Sequence, residues 1–122
     1  MRFRLSTIVA LSFAAACGGG GGSDTPINPI IPSTPDAPVA TTSVSLQNDA
    51  FNPRDIVVAP SSVITFTNND RLAHNVIFAN QNVASITDWT SGDRTTTMPA
   101  AAGTYSYTCT IHPGMSGTVK VQ

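Results

Sequence analysis

Residues 103–121 read GTYSYTCTIHPGMSGTVKV, and the reading of this stretch decides the fold. Its first part alternates. Tyr105, Tyr107 and Cys109 share one parity and Thr104, Ser106 and Thr108 the other, which is the period of two of a strand with one buried face. GTVKV, at 117–121, is a second β-favouring run. Between the two lies CTIHPGM, a tight loop in which Pro113 stiffens the chain and Gly114 lets it turn. The loop brings a Cys, a His and a Met within seven positions, in a chain with only two Cys, two His and three Met.

Working outward, the region from Thr41 to Gln122 shows no helix signal. TSVSLQ, DIVV, VITFT, HNVIF and RTTTM are further short runs rich in β-branched and aromatic residues. NPRD, APSS, NNDR, SGDR and PAAAG separate them with the Asn, Asp, Pro and Gly that turns need. About seven short strands at this spacing predict an all-β domain, an antiparallel Greek-key sandwich or small barrel spanning 41–122. NQNVASITDWTSG reads as loop with at most one short strand. In HNVIF, His74, Val76 and Phe78 fall on one parity, so His74 and Cys109 both end strands on the apolar side.

The N-terminal part is of another kind. MRFRLSTIVALSFAAAC has two Arg, then an apolar run too short to span a bilayer permanently, then three Ala before Cys17. It reads as a signal peptide over 1–16, and its Ala-Cys junction resembles a bacterial lipoprotein signal, which implies lipidation of Cys17. An ordinary secreted protein is the alternative. Acyl chains contribute about 0.8 kcal/mol per buried methylene, so two or more would anchor the chain to a membrane durably. Residues 17–40 then read as a linker. Five Gly are followed by Pro26, Pro29, Pro32, Pro35 and Pro38, a spacing that places proline on one edge of a polyproline II rod of roughly 35–40 Å. With Cys17 acylated, Cys109 is a lone thiol in an exported domain and calls for a chemical role.

Six Lys/Arg against seven Asp and no Glu give a net charge of −1. This excludes the basic footprint of a nucleic-acid binder. No Ser-His-Asp arrangement or paired carboxylates suggest catalysis, and Asp88, Asp93 and Arg94 read as solvated loop residues. The remaining chemistry is soft. A thiolate, two imidazoles and a thioether, from Cys109, His74, His112 and Met115, suit copper best, and a His2Cys plane with a long Met bond is the arrangement of blue-copper sites; zinc is the competitor, since it also takes Cys and His. Met98 and Trp89 read as packing residues.

HNV followed 35 residues after its His by CTIHPGM, with AFNPRDIVVAPSSVITFTNND ahead of the first motif and AAGTYSYTC ahead of the second, resembles the cupredoxins. The Cys-x2-His-x2-Met spacing is similar to the amicyanin-like loop of the plastocyanin-like group. The resemblance implies a single type 1 copper with His74, Cys109 and His112 as equatorial ligands and Met115 as the axial one. It implies that Asn75 and Thr110 tie the ligand-bearing segments together, and that Tyr105 is a tyrosine-corner residue. The expected function is one-electron transfer outside the cytoplasm, without catalysis, by a monomer. Protein donors and acceptors would dock on Ile111, Pro113 and Gly114 beside His112. Storage or delivery of copper is the alternative.

Overall fold

A computed structural model describes residues 37–122. The expected signal peptide, Cys17 and the linker up to residue 36 lie outside the described residues. Those residues carry ten strands and no helix: β1 (Val39–Ala40), β2 (Ser43–Gln47), β3 (Ala50–Asn52), β4 (Asp55–Val58), β5 (Val63–Asn68), β6 (His74–Phe78), β7 (Ile86–Trp89), β8 (Gly92–Thr97), β9 (Gly103–Thr108) and β10 (Ser116–Val121). They form a six-stranded sheet ordered β1-β4-β10-β9-β6-β7 and a four-stranded sheet ordered β3-β2-β5-β8. The first strand stands two residues ahead of Thr41, with Val39 opposite Ile56 and Ala40 opposite Val57.

The seven expected runs are all strands, and three short ones join them. β7 lies inside NQNVASITDWTSG. Asp88 therefore sits in a strand, as do Asp93 and Arg94 in β8, although all three side chains stay exposed. The sheets are not purely antiparallel either. β1 with β4, β4 with β10 and β2 with β5 run parallel. The cause is the repeated crossing of the chain between the two sheets, which makes partners of strands that are not consecutive in sequence.

The two sheets close on one apolar layer. Ile64 and Phe66 of β5, Val44 and Leu46 of β2, Ile56 of β4 and Val119 of β10 are all essentially inaccessible. Aromatic rings join the sheets: Phe51 and Phe66 from one meet Tyr107 of the other edge-on, with ring centroids 4.8 and 5.5 Å away, and Phe78 stands 5.4 Å from Tyr107. Such contacts add about 0.5–1.5 kcal/mol each beyond the area they bury. Trp89 and Met98 are buried, as expected of packing residues.

The parity read from GTYSYTC is the observed one, with Tyr105, Tyr107 and Cys109 buried and the intervening residues exposed. Each tyrosine hydroxyl has a fixed acceptor. Tyr105 donates to the Ala101 carbonyl at 2.8 Å, four residues upstream as in a tyrosine corner. Tyr107 donates to the Arg54 carbonyl at 2.9 Å, tying β9 to the start of β4. Burial pushes the Tyr107 phenol well above its ordinary range, with the Asp55 charge adding to the effect. Gly117 of β10 lies opposite Tyr107, and a methyl there would stand 2.6 Å from its Cζ and Oη and collide with the Arg54 carbonyl. Glycine is what lets this ring approach the strand so closely.

Candidate metal centre

β6 pairs with β9, Ile77 opposite Thr108 and Phe78 opposite Tyr107. The antiparallel register therefore brings His74, at the start of β6, beside Cys109, just past the end of β9. The Cys109–Met115 loop is closed by its own backbone: Cys109 N–H donates to the Met115 carbonyl at 2.9 Å, and Met115 N–H to the His112 carbonyl at 3.3 Å. Gly114, at φ +84°, supplies the left-handed residue that this closure requires. Ser116 pairs with Thr108 directly below the loop.

The result is a cluster of soft donors. Cys109 Sγ lies 3.9 Å from His74 Nδ1 and 3.6 Å from His112 Nδ1. The imidazole rings stand 4.5 Å apart, centroid to centroid. Ligand atoms of all three residues fall within 4.8 Å of one another, the span of donors around a single ion. His74 and Cys109 are buried and His112 is half-buried. Cys109 is a free cysteine, and Met115 is buried at the far end of the loop. Ile111, Pro113 and Gly114 are exposed around His112.

Asn75 and Thr110 join the two segments through two short bonds, and a third ties Asn75 to β7. Thr110 N–H donates to Asn75 Oδ1 at 2.8 Å, and Asn75 Nδ2 donates to Thr110 Oγ1 at 2.8 Å and to Asp88 Oδ1 at 2.8 Å. Strict alternation would expose Asn75, yet it is buried. A bulge explains this. His74 faces Trp89 and Val76 faces Ile86, so β7 spends an extra residue against β6 and presents Asp88 to the Asn75 amide.

Sequence reasoning missed three carboxylates. Asp88 looked like surface because the bulge is not visible in composition. Asp70 lies 2.9 Å from His74 Nε2, and Asp49 3.4 Å from His112 Nε2. Contact with His74, aided by backbone N–H groups of Asn48 and Asp49, holds the Asp70 carboxyl below the usual range against a partial burial cost. The one available signal was the spacing of four between Asp70 and His74, inside what read as a plain turn.

A two-sheet β fold with a Cys/His/His cluster beneath a short Cys-x2-His-x2-Met loop defines a cupredoxin. Comparison with known proteins agrees. Residues 39–122 match the family of copper binding proteins described as plastocyanin/azurin. The chain is 30% identical over 117 residues to amicyanin-alpha of Methylorubrum extorquens, covering 93% of this chain and 98% of that one. It is 33% identical over 110 residues to a plastocyanin of Nostoc punctiforme, covering 73% and 79%. Among solved structures, a reduced tryptophan-to-tyrosine variant of amicyanin superposes with a TM-score of 0.60 at 25% identity, covering 68% of this chain and 82% of that one. An oxidised proline-to-alanine variant gives 0.59 at 26%, covering 66% and 80%. The chain belongs to the plastocyanin/azurin family of copper-binding proteins, whose amicyanin and plastocyanin members are carriers and not enzymes.

Proposed function

We propose that this protein is a one-electron carrier outside the cytoplasm, in which His74 Nδ1, Cys109 Sγ and His112 Nδ1 would hold one type 1 copper with Met115 as a weaker fourth ligand. The observation that carries the reading is the convergence of those three donor atoms within 4.8 Å. Copper bound there would supply a Cu(II)/Cu(I) couple whose thiolate bond gives an intense visible band. The chain does the rest. A free, buried Cys109 offers a thiol screened from solvent, and the Asn75–Thr110 bonds hold its segment against β6, so little rearrangement is needed on transfer.

His112 is the route in and out, since its ring is partly exposed while that of His74 is sealed. Ile111, 40% exposed, forms an apolar rim beside it with Pro113 and Gly114. Transient protein donors and acceptors dock there. The full chain acts as a monomer tethered through lipidated Cys17, in the periplasm or on the cell surface.

Copper storage or delivery is the second reading. Exchange needs accessible soft ligands, and among the described residues Met98 and Met115 are both buried. Rapid loss of copper to a chelator, outpacing electron exchange, would favour it. The primary test is the visible spectrum of the copper-loaded protein beside Cys109→Ser. The wild type is expected to be intensely coloured and reversibly reducible, and the variant to lose the band; a colourless Cu(II) wild type, or a band that survives the substitution, refutes the assignment.

A further inference from the structure

Each candidate ligand histidine has a second ring nitrogen, and both of these meet a carboxylate. Asp70 Oδ2 lies 2.9 Å from Nε2 of His74, whose side chain has no accessible surface. Asp49 Oδ1 lies 3.4 Å from Nε2 of His112, and its own side chain is 58% exposed. The carboxylates come from different places. Asp70 is in the β5–β6 turn and Asp49 at the tip of the β2–β3 hairpin, where Asn48 and Asp49 both adopt left-handed φ, 54° and 55°.

Asp70 is held from several directions. Asn48 N–H donates to its Oδ1 at 3.3 Å, and its own N–H donates to Asn68 Oδ1 at 2.9 Å. Asn68 in turn donates to the Leu72 and Trp89 carbonyls, at 3.0 and 2.8 Å. The carboxylate is thus fastened to the hairpin, and the backbone that carries it is fastened through Asn68 to its own turn and to β7. Among the described residues, Asp70 is the hydrogen-bond partner at His74 Nε2.

A neutral imidazole has one N–H to place. An acceptor-only carboxylate at Nε2 draws that proton outward and leaves the Nδ1 lone pair facing Cys109 and His112. A fixed negative charge one ring away also stabilises the more positive of two metal states. Resting on the copper reading above, we infer that Asp70 is a positioning residue for His74 and that it lowers the reduction potential of the site. Asp49 acts in the same sense on His112, more weakly because it is longer and solvated.

The test uses the full chain. With copper bound, Asp70→Asn keeps the thiolate band but raises the Cu(I)-to-Cu(II) binding ratio by about tenfold, which for a one-electron couple is about 59 mV. Asp70→Glu, which keeps the charge, restores most of the shift. Asp93→Asn is the control for net charge, since Asp93 accepts from Thr67 on the outer face of the four-stranded sheet; it moves the potential by less than about a third as much. In the metal-free chain, nitrogen-15 NMR finds His74 in the Nε2–H tautomer, and Asp70→Ala mixes the tautomers. An unchanged potential in Asp70→Asn, an equal shift in Asp93→Asn, or a His74 tautomer indifferent to Asp70→Ala overturns the inference. A wild type without the band would overturn the copper reading instead, so the two failures are distinguishable.

Discussion

Asn75 shows how much a single side chain can settle. Its amide uses both hydrogens and its oxygen on Asp88 and Thr110, so it holds the residue after Cys109 against the residue after His74. Replacing it with Ala leaves the Thr110 N–H without its acceptor and lets the two segments drift. Asn75→Ala is expected to cost about 1–3 kcal/mol of stability, the penalty of an unpaired polar group at a part-buried site. It should also quicken copper loss, checked by denaturant titration and by the rate of bleaching in a chelator. The candidate ligands were legible because the chain has so few soft residues and they fall at diagnostic spacing. The carboxylates behind them were not, because Asp49, Asp70 and Asp88 reach the site through a hairpin tip, a turn and a bulge, and none of these leaves a spacing signature.

At the scale of elements, the tightest constraint is the Gly117–Tyr107 pair across β10 and β9. A methyl on Gly117 would have to displace the ring or the Arg54 carbonyl that the ring holds. Gly117→Ala is expected to lower stability by about 1–3 kcal/mol, as overpacking does, and a shifted urea midpoint with an unchanged slope would show it. The parallel β4–β10 pair has its own lock: Asp55 accepts from Thr118 at 2.8 Å and from Arg54 at 3.0 Å. Partial burial raises the Asp55 pKa, but these bonds outweigh it and the carboxyl titrates below its ordinary 3.8. The stabilisation is therefore complete above that unfolded value and is lost as pH falls through the lower folded one. Asp55→Asn should be less stable than wild type at pH 7, with a gap that narrows below about pH 4 in urea midpoints taken across that range. Strands of four or more residues with clear alternation were readable. β3 has three residues, and β7 lacks alternation because the bulge breaks it. Pairing direction was hidden altogether, since alternation says which face is buried and nothing about which way the neighbour runs.

For the molecule as a whole, the domain from Val39 onward explains the chemistry, and the proposed tether explains its address. Four Lys/Arg and five Asp between residues 41 and 122 leave the domain nearly neutral, so long-range steering toward partners is weak and proximity has to be supplied in another way. A lipidated Cys17 with a Gly hinge and a Pro-rich spacer would supply it by confining the carrier to the plane of its partners, which raises their effective concentration. Cys17→Ser is expected to move the protein from the membrane to the soluble fraction in cell fractionation while leaving the visible band intact.

The chain has one tryptophan, and the β6–β7 register sets it directly opposite His74. Trp89 is buried and its indole N–H is fixed on the Gly92 carbonyl at 2.9 Å. Directly opposed residues of an antiparallel pair place their side chains on the same face, about 4.5–5.5 Å apart at Cβ. The molecule therefore carries a fluorophore opposite a candidate copper ligand, and its emission, expected to dim when copper binds and to recover on release, would let occupancy be followed in real time without a label.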